Sequence, residues 1–163
     1  MASHSDSTRH ELGELALMVN GERWLPASRI CDITVIKCKN YTHQTMYELP
    51  IPPSPNLPNM KAVYLYPSTC YFEATPVSLG RGTQLPFQIY GHPNMLGYDY
   101  TFTPQSIPGA KNPPQLNRIC HGVNLSELSN EEIWKKGVDL SYLIDAYRNL
   151  NMDDYFSGRF SSC

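Results

Sequence analysis

The stretch PIPPSPNLPNM, residues 50–60, places five prolines within eleven residues. Proline fixes the backbone angle φ and lacks an N–H group, so such a run suits neither a helix nor a central strand. We therefore predict an extended and rather stiff loop. A loop of this length either lines a functional site or connects two elements over the surface, and the sequence leaves both interpretations open.

The first half of the chain alternates helix and strand patterns. Residues 11–20 place apolar side chains at helical spacing, which predicts an amphipathic helix. The β-branched run 31–37 predicts a buried strand, and residues 61–66 predict another strand. Pro67 then favours the start of a short helix that carries Glu73.

From residue 84 onward, short strand patterns and proline-rich loops dominate. Three segments are strand-like, and one of them, YDYTFT, alternates aromatic and small polar side chains. These strands are expected within residues 87–92, 98–103 and 118–125.

Two helices are predicted near the end of the chain. Ser129 followed by Glu132 is a capping-box pattern, and Gly137 is a suitable end for that helix. Residues 139–150 predict a second helix, whose apolar stripe we expect to face the core. The stripe consists of Leu140, Leu143, Ile144 and Tyr147.

Composition excludes several classes of protein. A formal net charge of -2 gives no basic surface for nucleic acid. The five cysteines are odd in number and include no Cys-x-x-Cys, and the histidines lack metal-site spacing, so no metal is expected. Residues 1–10 are interpreted as a disordered lead with no readable signal peptide, and no apolar run is long enough for a membrane span. The eleven tyrosines suit either half-buried strands or a surface that binds a neutral polar ligand such as a sugar.

Glu73 and the turn Gly80-Arg81-Gly82-Thr83 are the main candidates for chemistry. The flanking glycines permit a sharp turn, and arginine presents a planar set of donors that suits a carboxylate. Arg81 could hold Glu73 in place, bind the carboxylate of a ligand, or pair with any surface acid. Glu73 could be a catalytic carboxylate or a solvent-exposed residue at a helix end. His43 could contact a ligand between two tyrosines or end a strand.

Several motifs of the chain occur together and in order. They include PSPNLPNMKAVYLYPSTCYFEATPVSLGRGTQLPFQIYGHP, then FTPQSIPGAKNPPQ and CHGVNL. Each motif alone is weak, but together they are specific. From about Glu11 to about Asn151, the chain resembles the exo-β-N-acetylmuramidase family (NamZ, or YbbC-like), whose members are more than twice as long.

The resemblance implies an α/β fold. It implies a partial Rossmann-like three-layer domain followed by a smaller β-rich auxiliary domain. We expect residues 11–83 to be the second half of the Rossmann-like domain and residues 84–163 to be part of the auxiliary domain. Edges left open by missing strands predict self-association of the isolated chain.

The resemblance also implies a bacterial glycoside hydrolase of cell-wall recycling, with no cofactor. Its substrates would be peptidoglycan-derived muropeptides, from which it releases terminal N-acetylmuramic acid, and the full-length protein would be periplasmic or extracellular. Glu73 is the expected catalytic residue. The expected substrate-binding residues are Arg81, Ser78, Thr83, Asn56, His43 and His92. The alternative is a non-catalytic muropeptide-binding module or an inactive truncated product.

Overall fold

The computed structural model describes residues 12–42 and 44–150. Within these residues the chain is mixed α/β, with four α-helices and one three-stranded sheet. The helices are α1 (Leu12–Gly21), α2 (Met60–Thr69), α3 (Asn130–Lys136) and α4 (Ser141–Leu150). The strands are β1 (Ile89–His92), β2 (Tyr100–Phe102) and β3 (Cys120–Asn124). The described residues divide into two compact units, one ending at Tyr47 and one beginning at Glu48.

The first unit contains α1 and an irregular segment. Helix α1 confirms the prediction for residues 11–20. The buried strand predicted over 31–37 is wrong, because this segment forms no strand and Ile36 is 91% exposed. The Asn20 side chain holds Cys31, the first residue of this segment: Asn20 Oδ1 accepts from Cys31 N at 2.7 Å, and Asn20 Nδ2 donates to Cys31 O at 2.9 Å. A β-branched run becomes a strand only beside a pairing partner, and within the described residues this run has none.

Residues 60–69 form helix α2 where the sequence interpretation predicted a strand up to residue 66. Asn59 caps the helix, and its side chain accepts from Ala62 N at 2.9 Å. Ala62, Leu65 and Thr69 are buried at helical spacing. Pro67 lies inside α2 and does not begin a new helix, so that prediction is also wrong. A 3₁₀ turn, Cys70–Ala74, follows α2 directly.

The sheet lies in the second unit and confirms all three predicted strands. Its order is β1-β3-β2, and both pairings are antiparallel. The register places His92 opposite His121 and Phe102 opposite Cys120. The proline-rich residues before α2 form a loop, as predicted, with a tight turn in which Leu57 N donates to Ser54 O at 2.9 Å.

The core of the second unit joins the helices to the sheet and the loops before it. Phe72 stacks on Tyr90 with ring centroids 5.0 Å apart. The buried apolar residues of this core are Ala62, Leu65, Phe72, Val77, Leu79, Phe87, Tyr90, Met95, Leu125, Ile133, Ala146 and Leu150. Such burial is the main source of stability in a domain of this size.

Helix α4 turns a different face to the core than its sequence pattern predicts. Ala146 and Leu150 are buried, and Leu143 packs against the core. Leu140, Ile144 and Tyr147 are each 45–48% exposed, so the prediction of a core-facing stripe is wrong for these three. Asp145 explains the offset, because its carboxylate accepts from Tyr90 and Tyr98 and fixes the rotation of the helix.

No helix within residues 12–42 and 44–150 combines the length and the apolar character of a membrane span. The described residues also contain no group of three or more side chains arranged as a metal site.

Helix α3 provides a test of local stabilisation. Ser129 Oγ accepts from Glu132 N at 3.2 Å, and Ser129 N donates to Glu132 Oε2 at 2.8 Å. We expect Ser129→Ala to lower the free energy of unfolding by about 1 kcal/mol, because an N-terminal backbone donor loses its partner. Urea unfolding followed by circular dichroism measures this change.

The matched control is Ser126→Ala, since the Ser126 hydroxyl makes no hydrogen bond to another described residue. Hydrogen bonds from Ser129 lower the pKa of Glu132. The stabilisation from that carboxylate is therefore present above the usual glutamate pKa and is lost as the pH falls through the lowered value. Equal stability of the Ser129→Ala and Ser126→Ala proteins at neutral pH would contradict the capping role of Ser129.

Candidate functional site

Glu73 and Arg81 form an ion pair in the second unit. Glu73 lies in the 3₁₀ turn after α2, and its Oε1 accepts a hydrogen bond from Arg81 Nη2. The two side chains are 38% and 37% exposed, respectively. A pair this exposed adds little to stability, on the order of 0–1 kcal/mol. Its main consequence is therefore orientation, because each side chain fixes where the other points.

The turn around Arg81 depends on its two glycines. Gly80 and Gly82 have φ angles of 71° and 82°, which residues other than glycine rarely adopt. Thr83 closes the turn, and its N and Oγ1 donate to Gly80 O at 3.0 and 2.7 Å. The Arg81 guanidinium then lies over the Phe87 ring, with Cζ 5.1 Å from the ring centroid. The glycines thus shape the turn, and the phenyl ring supports the cation.

The same turn packs directly against the loop that follows β2. Gln105 N donates to Gly82 O at 2.9 Å. A Cβ atom on Gly82 would lie 2.3 Å from Gln105 O and 2.8 Å from Pro113 Cγ. Only a glycine permits this approach, so residue 82 fixes both the turn and the neighbouring loop.

A cleft of about 170 Å³ opens beside the ion pair. Its lining includes Phe72, which is buried. Two segments line it and are called its two walls: alternate residues within 72–81, and residues 109–114. Asn56 also lines the cleft. Asn56 Nδ2 donates to Gly109 O at 3.2 Å, which ties the proline-rich loop to the second wall. Residues 107–110 form a tight turn, closed by Ala110 N donating to Ile107 O at 2.9 Å.

Glu73 also shapes the protonation of its neighbours. Burial raises the pKa of Tyr66 and of Cys70, and the negative charge of Glu73 raises both further. Cys70 is therefore held as a neutral thiol at neutral pH, which disfavours it as a nucleophile. Among the described residues that line the cleft, Glu73 is the only carboxylic acid.

The structure brings together three of the residues proposed from the sequence: Glu73, Arg81 and Asn56 all line the cleft. Ser78 and Thr83 are not among its lining residues. Ser78 is buried, and its hydroxyl accepts from Gly80 N at 3.3 Å. Both hydroxyl groups therefore serve the turn that carries Arg81.

Of the two histidines proposed from the sequence, the structure describes only His92, which is not among the residues that line the cleft. His92 is buried on β1, and its Nδ1 accepts from Asn94 N at 3.2 Å. Burial, with a smaller contribution from Arg118, lowers the pKa of His92, which favours the neutral ring. His43 lies outside the described residues.

Sequence reasoning did not single out Thr75, Lys111 or Asn112, which also line the cleft. Lys111 and Asn112 belong to the segment FTPQSIPGAKNPPQ, which the sequence interpretation treated only as a loop. The sequence feature that could have drawn attention to Lys111 and Asn112 is that two adjacent polar residues lie between a Pro-Gly turn and a Pro-Pro pair.

Comparison with known proteins identifies the family. Residues 64–160 match the model for "Exo-beta-N-acetylmuramidase NamZ, C-terminal", and residues 7–61 match that for its N-terminal part. The chain belongs to the exo-β-N-acetylmuramidase NamZ family. This result confirms the resemblance inferred from the motifs.

The chain is also similar to three individual proteins. It is 34% identical over 129 residues to the peptidoglycan β-N-acetylmuramidase NamZ of Bacillus subtilis (strain 168), covering 70% of this chain and 30% of the relative. A crystal structure of a DUF1343 family protein from Bacteroides fragilis NCTC 9343 is 83% identical, with a TM-score of 0.81 over 88% of this chain and 41% of that one. A second DUF1343 structure from the same strain shares the fold at 23% identity, with a TM-score of 0.53 over 75% and 37% of the two chains. The chain therefore spans less than half the length of each of these relatives.

The contact at Gly82 gives a direct test of the site's architecture. We expect Gly82→Ala to lower the free energy of unfolding by about 1–3 kcal/mol, because the methyl group meets backbone and proline atoms. Thermal or urea unfolding measures the change. The matched control is Gly97→Ala, since a Cβ at Gly97 meets nothing within 4 Å and its φ is not positive. A Gly82→Ala protein as stable as the Gly97→Ala protein would contradict the close packing of the two walls.

Proposed function

We propose that this chain forms part of a glycosidase that removes terminal β-linked N-acetylmuramic acid from peptidoglycan fragments. The observation that carries the proposal is the Glu73–Arg81 pair at a cleft in a chain of the NamZ family. The name of the Bacillus subtilis relative supports the substrate class. Glu73 is the proposed catalytic carboxylate because it is the only acid among the described cleft residues.

The geometry of Glu73 suits a catalytic role. Arg81 engages Oε1, while Oε2 makes no hydrogen bond to another described residue. One carboxylate oxygen is thus held in place, and the other is available to a substrate atom or a water molecule. Orientation of this kind is a large part of what an active site contributes to a reaction rate.

Most glycosidases use two carboxyl groups on opposite sides of the scissile bond. The described cleft supplies one, and the relatives named above have chains more than twice as long as the part matched here. We therefore place the second catalytic group in the part of the full-length enzyme beyond this cleft. The size of the cleft agrees with that division, because about 170 Å³ is less than the ~300–1,000 Å³ typical of complete ligand sites.

Substrate binding in this proposal uses the two walls of the cleft. Asn56 and Arg81 offer donors to sugar hydroxyl and carbonyl groups, and Phe72 adds an apolar surface to the cleft. Ser78 and Thr83 contribute indirectly through the turn. Roles for His43 and His92 remain predictions.

We also propose the domain organisation implied by the family resemblance. Residues 84–163 would belong to a β-rich auxiliary domain, which agrees with the position of all three described strands after residue 84. Residues 11–83 would belong to the second half of a Rossmann-like α/β domain of the full-length enzyme.

The test is a Glu73→Gln substitution in the full-length protein, or at the aligned glutamate of the Bacteroides fragilis relative. We expect kcat for release of N-acetylmuramic acid from a chromogenic β-N-acetylmuramide to fall by about 10²–10⁴-fold, because the amide cannot act as acid, base or nucleophile. Glu131→Gln on α3 is the matched control, since Glu131 is exposed and outside the cleft. Unchanged release by the Glu73→Gln enzyme would remove Glu73 from the mechanism, and saturable binding without turnover by the unsubstituted protein would indicate a binding module.

A further inference from the structure

Two cationic side chains line the described cleft, and only one of them has an ion-pair partner among the described residues. Arg81 is engaged by Glu73. Lys111, in the second segment that lines the cleft, is exposed, and its ammonium group makes no ion pair or hydrogen bond to another described residue. We propose that Lys111 binds the carboxylate of the substrate and thereby selects N-acetylmuramic acid over N-acetylglucosamine. The proposal rests on the function proposed above.

The sugar chemistry explains why a cation is needed. N-Acetylmuramic acid is N-acetylglucosamine with a lactyl ether, and that ether carries the only charged group of the sugar. A neutral cleft would bind both sugars through the same hydroxyl and acetamido groups. A site that selects one of them must recognise the added carboxylate, for which an ammonium group is a suitable partner.

Arg81 is less suited to this task than Lys111. Its Nη2 donates to Glu73, and its Nε is buried without a hydrogen-bond partner among the described residues. A ligand carboxylate at Arg81 would lie close to the carboxylate of Glu73, and like charges repel. Lys111 offers three donors, and no described residue engages them.

The backbone around Lys111 is held in place although its side chain is exposed. Before it, the 107–110 turn is closed by backbone hydrogen bonds and tied to Asn56. After it, Pro113 is buried in close contact with Gly82. A cation on a fixed loop loses less entropy on binding than one on a free loop. Asn112 lines the cleft beside it and can donate a second hydrogen bond.

The experiment compares three ligands on the intact chain: methyl β-N-acetylmuramide, its lactyl methyl ester, and methyl β-N-acetylglucosaminide. We expect the unsubstituted chain to bind the acid roughly 10- to 100-fold more tightly than the ester or the glucosaminide, as expected for a hydrogen bond to a charged group. Lys111→Met should abolish that preference, and Lys111→Arg should keep most of it. Titrations followed by heteronuclear NMR give the dissociation constants and show that each variant is folded.

Lys135→Met is the matched control, because Lys135 is an exposed lysine on α3 outside the cleft. A preference for the acid that survives Lys111→Met, or that is absent from the unsubstituted chain, overturns the inference. So does a preference that is lost in Arg81→Met but kept in Lys111→Met.

Failure here is distinguishable from failure of the proposed hydrolysis. If Glu73→Gln abolishes release while Lys111→Met keeps the preference, only the role of Lys111 is lost. If the full-length protein releases no sugar but the chain prefers the acid through Lys111, the hydrolase proposal is lost and carboxylate recognition stands.

Discussion

The turn at Gly82 packs against Gln105 and against Pro113, which belongs to the second wall of the cleft. It requires a positive φ at Gly82 and the absence of a Cβ atom, since Gln105 O lies where that atom would be. The same turn aims Arg81 at Glu73, and Pro113 packs on it from the other side. One backbone approach therefore connects the turn that carries Arg81 to the loop that carries Lys111.

The core below the cleft supports this arrangement. Phe72 is buried in the same 3₁₀ turn as Glu73, and it stacks on Tyr90 of the sheet. Tyr90 in turn donates to Asp145 of α4 at 3.0 Å. The position of Glu73 thus depends on a continuous set of contacts from the sheet to the last helix, which is the kind of rigid support that a catalytic side chain needs.

Local patterns in the sequence predicted the sheet and the helix caps, and non-local pairing explains where they failed. The capping box at Ser129 is a short-range signal, and it forms as predicted. The run 31–37 has strand-forming residues but no pairing partner among the described residues. Residues 63–66 have strand-forming side chains, yet they lie in helix α2. The helix is capped by Asn59 and buries Ala62, Leu65 and Thr69 at helical spacing. Glu73 and Arg81 were proposed because the family motifs favoured one of the alternatives that their spacing had left open, whereas Lys111 lies at the cleft through tertiary contacts that no local pattern encodes.

The net charge of the described cleft residues is opposite in sign to the net charge of the whole chain. The chain has a formal net charge of -2, yet the described cleft residues include two cations and one carboxylate. Since Arg81 neutralises Glu73, the excess positive charge resides on Lys111. An anionic sugar entering such a cleft would meet a favourable potential at one wall and a positioned carboxylate at the other. In the proposed site, two separate cations would let Glu73 keep its arginine partner while Lys111 binds the carboxylate of the substrate, which a single shared cation could not do.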